Sequence, residues 1–194
     1  MTPKNFSVGL WSKLHPPHLK SLSAQDLQNA IRDVPDFPKP GIVFKDITPI
    51  LADAALFKES LELLAAPAGD TKIDKVVGID ARGFIFAAGV AHILGAGFVP
   101  VRKKGKLPWT THAMAYALEY GEDCVEIHAD AIKPGEKILL VDDLLATGGT
   151  AAAAIKLLKA FDADIVSVSF LIELAFLKGR DKLGNSPVQS LITF

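Results

Sequence analysis

The sequence predicts an α/β fold, a mostly parallel sheet with helices on both faces. Two observations lead there. From residue 75 onward, short apolar runs alternate with segments of helix length, the arrangement of parallel strands joined by crossover helices. One of those runs, Ile138-Leu139-Leu140-Val141, is aliphatic throughout and enters two acids, Asp142 and Asp143, before a small-residue turn and an Ala-rich stretch. A strand with no polar face is buried on both sides, as the inner strands of such a sheet are.

Taken in order, residues 1–21 hold Pro3, Pro16 and Pro17 among scattered polar side chains and read as an extension. Ser23 is placed to cap a helix to about residue 34, with Leu27, Ala30, Ile31 and Val34 at helical spacing. Asp36-Phe37-Pro38-Lys39-Pro40-Gly41 then breaks regular structure. Asp53 caps a second helix to about residue 65, with Leu56, Phe57, Ser60, Leu61 and Leu64 facing inward. Strands follow at 75–79, 98–102, 124–128, 137–141 and 165–172, with helices at 83–94 and 150–161. Gly95 closes the first of these helices. Gln189-Ser190-Leu191 offers a short edge strand. Residues 103–122 show no clear period, and connections that long serve as lids or binding loops.

The 194 residues suit one domain, taken as residues 22–194, with 49% apolar and 22% charged side chains. A formal net charge of −1 offers no basic field for nucleic acid, so anion binding has to be local. The single cysteine, Cys124, makes no intrachain disulfide and no zinc spacing exists, which suits a reducing cytoplasm. The first 20 residues lack the apolar run of a secretory signal. No run of about 18 apolar residues is present, so no membrane span is expected.

Two strand-to-helix turns carry chemistry. Ala146-Thr147-Gly148-Gly149-Thr150 reads as a phosphate cradle, because glycine lets backbone approach a ligand and the next helix aims free N–H groups at it. Two carboxylates beside an anion site make sense if the ligand also carries hydroxyls, or a metal, near its phosphate. The turn is not a Walker A loop, since no Gly-Lys-Ser/Thr follows, and it lacks dinucleotide glycine spacing. Ala81-Arg82-Gly83 is the second such turn, with Asp80 adding a negative charge beside it. Arg102, Lys103, Lys104 and Lys106 form a basic cluster at a strand end. The five histidines sit in no metal spacing and receive no catalytic role. Trp109 reads as packing within the long connection.

These residues resemble a known family. The segment from Ile138 to Thr150 resembles the phosphoribosyl-diphosphate-binding motif of type I phosphoribosyltransferases. Asp36-Phe37-Pro38-Lys39-Pro40-Gly41-Ile42-Val43-Phe44-Lys45-Asp46-Ile47-Thr48-Pro49 resembles the N-terminal signature of the adenine phosphoribosyltransferases. Ala81-Arg82-Gly83-Phe84, Val101-Arg102-Lys103-Lys104-Gly105-Lys106-Leu107-Pro108 and Leu118-Glu119-Tyr120-Gly121 are similar to further motifs of that family, in the same order. The similarity spans roughly residues 31 to 184.

The resemblance implies a type I phosphoribosyltransferase fold with a small N-terminal hood at about residues 34–50. It implies transfer of a phosphoribosyl group from phosphoribosyl diphosphate to adenine, giving AMP and diphosphate in purine salvage. It also implies Mg²⁺ held mainly by the substrate diphosphate, with no direct protein ligand, and a cytoplasmic homodimer. The 5-phosphate would sit on Ala146, Thr147, Gly148, Gly149 and Thr150, and the ribose hydroxyls on Asp142 and Asp143. Both acids reach the ribose only if the strand has ended at Asp142, because neighbours on a strand face opposite ways. Arg82 and Gly83 would receive diphosphate, helped by Arg102, Lys103 and Lys106. Val43, Phe44 and Lys45 would form the adenine pocket, with Phe44 stacking on the purine. Glu119 would accept the N7 proton as N9 attacks the sugar, and Tyr120 would shape the closed loop. Glu119, Arg82 and Asp142 are thus the expected catalytic residues.

Two alternatives stay open at this level: a phosphoribosyltransferase for another purine, and a ligand-sensing regulator of the same fold without catalysis. The near-neutral charge gives the regulator little surface for nucleic acid.

Overall fold

The computed structural model describes residues 22–117 and 121–194. Ser23 caps α1 (Ala24–Ala30) in a reciprocal box with Asp26. The chain then forms β1 (Arg32–Pro35) and β2 (Val43–Asp46), an antiparallel pair in which Val34 faces Phe44. The expected helix therefore stops four residues early. Helical spacing at Ile31 and Val34 gives way to pairing with β2, where Val34 fills the opposite register position.

A short helix, α2 (Thr48–Ala52), precedes α3 (Ala54–Ala65), which starts where the Asp53 carboxylate accepts from the amides of Ala55 and Leu56. Next come β3 (Lys75–Ile79), α4 (Gly83–Leu94), β4 (Gly97–Lys103), β5 (Thr111–Ala117) and β6 (Glu122–His128). The chain continues through β7 (Lys137–Leu145), α5 (Gly149–Ala160), β8 (Asp164–Glu173) and β9 (Val188–Thr193). Strands β3 to β9 form one seven-stranded sheet in the order β5-β6-β4-β3-β7-β8-β9. Its centre is parallel, and β6 runs antiparallel to both neighbours.

The connection at 103–122 thus contains a strand. β5 pairs with β6 from Thr111 opposite His128 to Ala117 opposite Glu122. Its alternation was hidden because small and polar residues, Thr111, Ala113 and Ala115, make up one of its rows. Trp109, in the preceding turn, is exposed rather than packed.

Neighbouring side chains on the central strands divide between two cores. Val76, Leu139 and Leu171 lie on one face with Phe86, Val90, Leu64 and Leu27 from the helices. Val77, Leu140 and Phe170 lie on the other with Ala154, Leu157 and Leu158 of α5. Each fully buried Leu or Phe contributes roughly 1.5–3 kcal/mol, so the two cores hold β3 and β7 firmly side by side. That fixes where their C-terminal ends emerge.

Candidate active site

Because β3 and β7 are parallel neighbours, with Gly78 opposite Val141, their C-terminal turns open at the same sheet edge. Between them lies a cavity of about 300 Å³, lined by residues 79–82 and 142–151. The first amides of α4 and α5 belong to these two turns. Two helix N-termini beside one hollow favour negative charge there.

The 146–150 turn is built around a close backbone contact. Gly148 begins α5 at φ +75°, and a Cβ there would lie 2.2 Å from the carbonyl oxygen of Gly179. A Cβ on Gly179 would in turn lie 2.1 Å from the Ala146 carbonyl. Gly179 thus buttresses the turn from the segment after β8. Sequence reasoning missed it, although a lone glycine between Lys178 and Arg180 is the mark of such a close approach.

β7 does not end at Asp142. It runs on to Leu145, with Asp142 opposite Phe170 and Leu144 opposite Ile172. The early strand end expected for two acids at one ribose is therefore absent, yet Asp142 and Asp143 both line the cavity. The Asp142 carboxylate sits over Gly83, where a Cβ would meet its Oδ1 at 2.3 Å. Asp143 is 6% exposed and pairs with Arg82, Nη2 to Oδ2 at 2.7 Å. The Asp143 amide also donates to Asp142 Oδ1 at 2.9 Å. Burial pushes the Asp142 carboxyl well above the usual carboxylate range, and the neighbouring Asp143 charge pushes it further. Burial raises Asp143 too, against the pull of Arg82.

Asp80 is neutralised in the same way. Its Oδ2 accepts from Arg102 Nε at 2.8 Å, and Arg102 Nη1 donates to the Lys106 carbonyl at 3.1 Å. Arg102 is therefore held at the edge of the cavity by an acid that lines it. Lys103 turns away to Asp123, 2.9 Å distant. The side chains of Lys104 and Lys106 are exposed.

The hairpin of β1 and β2 approaches from the other side. The Phe44 ring meets Phe37 edge-on at 5.2 Å, and the Arg82 guanidinium lies 5.2 Å from the Phe44 centroid. Val43 and Lys45 point to the opposite face of β2, toward a separate cavity of about 520 Å³ that also involves Phe176 and Phe194. There Lys45 Nζ is 2.7 Å from Asp33 and 3.9 Å from the Phe194 centroid. Only the backbone of Val43 and Lys45 shares a side with Phe44. Glu119 and Tyr120 lie outside the described residues, in the connection between β5 and β6.

A family description, the phosphoribosyl transferase domain, matches residues 48–183. An adenine phosphoribosyltransferase of Bradyrhizobium sp. strain ORS 278 is 56% identical over 171 residues, which cover 87% of this chain and 96% of that protein. The enzyme of the same name from Anaeromyxobacter dehalogenans is 57% identical over 164 residues, covering 84% and 95%. The chain belongs to the adenine phosphoribosyltransferase family. Solved structures of adenine phosphoribosyltransferases share its fold. That from Rhodothermus marinus matches with a TM-score of 0.84 at 51% identity, covering 88% of this chain and 98% of its own. That from Saccharomyces cerevisiae, complexed with adenine and D-2,5-dideoxy-2,5-imino-altritol 1,6-bisphosphate, matches with a TM-score of 0.82 at 44% identity, covering 87% and 97%. Adenine phosphoribosyltransferases thus share with this chain a mostly parallel sheet flanked by helices.

Proposed function

We propose that the chain transfers the 5-phosphoribosyl group of phosphoribosyl diphosphate to N9 of adenine, giving AMP and diphosphate. The observation that carries this reading is the pair of helix N-termini at one cavity with Phe44 standing over Arg82. The 5-phosphate lies on the 146–150 turn, taken up by its amides and hydroxyls. Diphosphate lies on the Ala81-Arg82-Gly83 turn, where Arg82 leaves Asp143 to meet it and Arg102 borders it. Asp142 and Asp143 accept from ribose hydroxyls, and their charge favours the cationic sugar formed as the C1–diphosphate bond breaks. Adenine packs on Phe44, and main-chain groups of Val43 and Lys45 read its exocyclic amine. N9 attacks C1, the bond to diphosphate breaks, and the N7 proton passes to Glu119.

Among the described residues no three His, Cys, Asp or Glu side chains gather as a metal site. Mg²⁺, held mainly by the substrate diphosphate, would stabilise the leaving group with its charge. A homodimer agrees with the exposed Ile85 and Ile93 on α4 and the exposed Phe98 on β4. Among the described residues no helix is long and apolar enough to cross a membrane, and a cytoplasmic setting agrees with the single cysteine. Residues 22–194 act as one domain with its hood at about 34–50, and residues 1–21 precede it.

The deciding experiment is base competition for phosphoribosyl diphosphate. AMP is expected as the main product from a mixture of adenine, hypoxanthine and guanine. Preference for either other base overturns the reading.

A further inference from the structure

A line of polar contacts joins the phosphate turn to the β5–β6 hairpin. Thr150 Oγ1 lies 3.1 Å from the Tyr116 hydroxyl, which lies 3.1 Å from Asp123 Oδ2. Lys103 Nζ closes on the same Asp123 oxygen at 2.9 Å, and the Cys124 amide donates to its other oxygen at 2.8 Å. The lysine and the amide hold Asp123 below the usual carboxylate range, so it carries no proton. An ionised carboxylate only accepts. Tyr116 must therefore donate to Asp123, and its oxygen is left to accept from Thr150. The one proton of Thr150 is spent on Tyr116.

A 5-phosphate ester dianion also only accepts, and the oxygen facing Thr150 needs that same proton. We propose that Tyr116 is a positioning residue whose hydroxyl competes with the 5-phosphate for the Thr150 proton, so that phosphate binding unties the β5–β6 hairpin from α5. The inference rests on the reading of the 146–150 turn as the 5-phosphate cradle. The junction is suited to such a release. A hollow of about 440 Å³ opens between β5 and α5, bordered by Tyr116, Gly149 and Lys156, beside the point where Met114 and Tyr116 pack on the core. The hairpin whose connection carries Glu119 is thereby linked to the occupancy of the phosphate turn. Tyr116 touches no substrate; it acts through Thr150.

The test is Tyr116→Phe, which removes the acceptor and keeps the ring. Its Kd for inorganic phosphate by calorimetry, and its KM for phosphoribosyl diphosphate, are expected to fall about fivefold, the worth of one neutral hydrogen bond. The KM for adenine stays unchanged. In the wild type, amide exchange across β5 rises on adding phosphate; in the variant it is already high and does not respond. Unchanged or weaker phosphate binding in a variant that melts like the wild type overturns the proposal alone. A wild type that neither binds phosphate nor consumes phosphoribosyl diphosphate overturns the reading of the turn, and the proposal with it. If the phenylalanine variant misfolds, Tyr116→Leu, which also lacks the acceptor, takes its place, with tighter phosphate binding expected and unchanged or weaker binding overturning the proposal.

Discussion

Arg82 and Asp143 neutralise each other across the cavity, guanidinium nitrogen to carboxylate oxygen at 2.7 Å. The same arginine faces the Phe44 ring at 5.2 Å. One cation therefore touches the acid expected to hold ribose, the turn expected to hold diphosphate and the ring expected to hold the base.

Replacing Arg82 by alanine should reach all three. We expect kcat/KM for phosphoribosyl diphosphate to fall by about 10²–10³-fold, as for loss of one group that stabilises developing charge. Arg82→Lys should recover only part of it, because an ammonium lacks the planar fork. Steady-state kinetics with each substrate varied in turn checks this. A lysine variant with wild-type kinetics argues against a forked contact.

Glu119→Gln keeps shape and removes the base. The expected loss is about 10²–10⁴-fold in kcat, with the KM for phosphoribosyl diphosphate little changed. Pre-steady-state formation of AMP should slow equally. Full turnover in the folded variant sinks the proposed proton acceptor.

Asp142→Asn should trade activity for stability. Burial raises the folded pKa of Asp142 above its unfolded value, so its charge costs stability increasingly as pH rises from about 4 through the folded pKa. The amide retains the bond from the Asp143 N–H. We expect a gain on the order of 1 kcal/mol, or about 2–4 °C in Tm at neutral pH, vanishing near pH 4. Loss of a charge-assisted contact to ribose should lower kcat/KM by about 10- to 150-fold. Thermal melts over a pH series decide the first point.

Glu173→Gln should show the opposite pH trend. Glu173 bonds to Arg180, whose Nε lies 3.1 Å from Oε1, and to Ser190, whose hydroxyl lies 2.6 Å from Oε2. The arginine first, then the serine, hold its pKa below the ordinary value of 4.5. A depressed folded pKa contributes stability above the unfolded pKa and loses it as pH falls through the folded one. Arg180 is 44% exposed, so screening limits the neutral-pH cost to about 1 kcal/mol. Wild type and variant should converge in Tm as the pH drops toward 3. A constant gap across the series contradicts the ionic origin.

How much of this was legible in sequence depended on how local the cause was. Ser23 and Asp53 announced their helices because a cap acts within three residues. β3 and α4 had the expected bounds because aliphatic runs and a following glycine are local signals too. β1 and β5 were not foreseen, since each is a strand only by virtue of its partner. The continuation of β7 through its acids was hidden for the same reason: β8 supplies pairing as far as Leu145. At the site, the two turns were readable from small residues after an apolar run. The pairings of Asp80 with Arg102, Arg82 with Asp143 and Tyr116 with Thr150 join residues far apart in the chain, and nothing in their spacing reveals them.

The contact between Gly148 and Gly179 has a consequence for the order in which the protein is made. The 146–150 turn leaves the ribosome before the segment that braces it, and β9 follows later still. A nascent chain ending ahead of Gly179 has the glycine-rich turn but not its support. Sugar-phosphate ligands should therefore protect the newly made chain against proteolysis only once that segment has emerged.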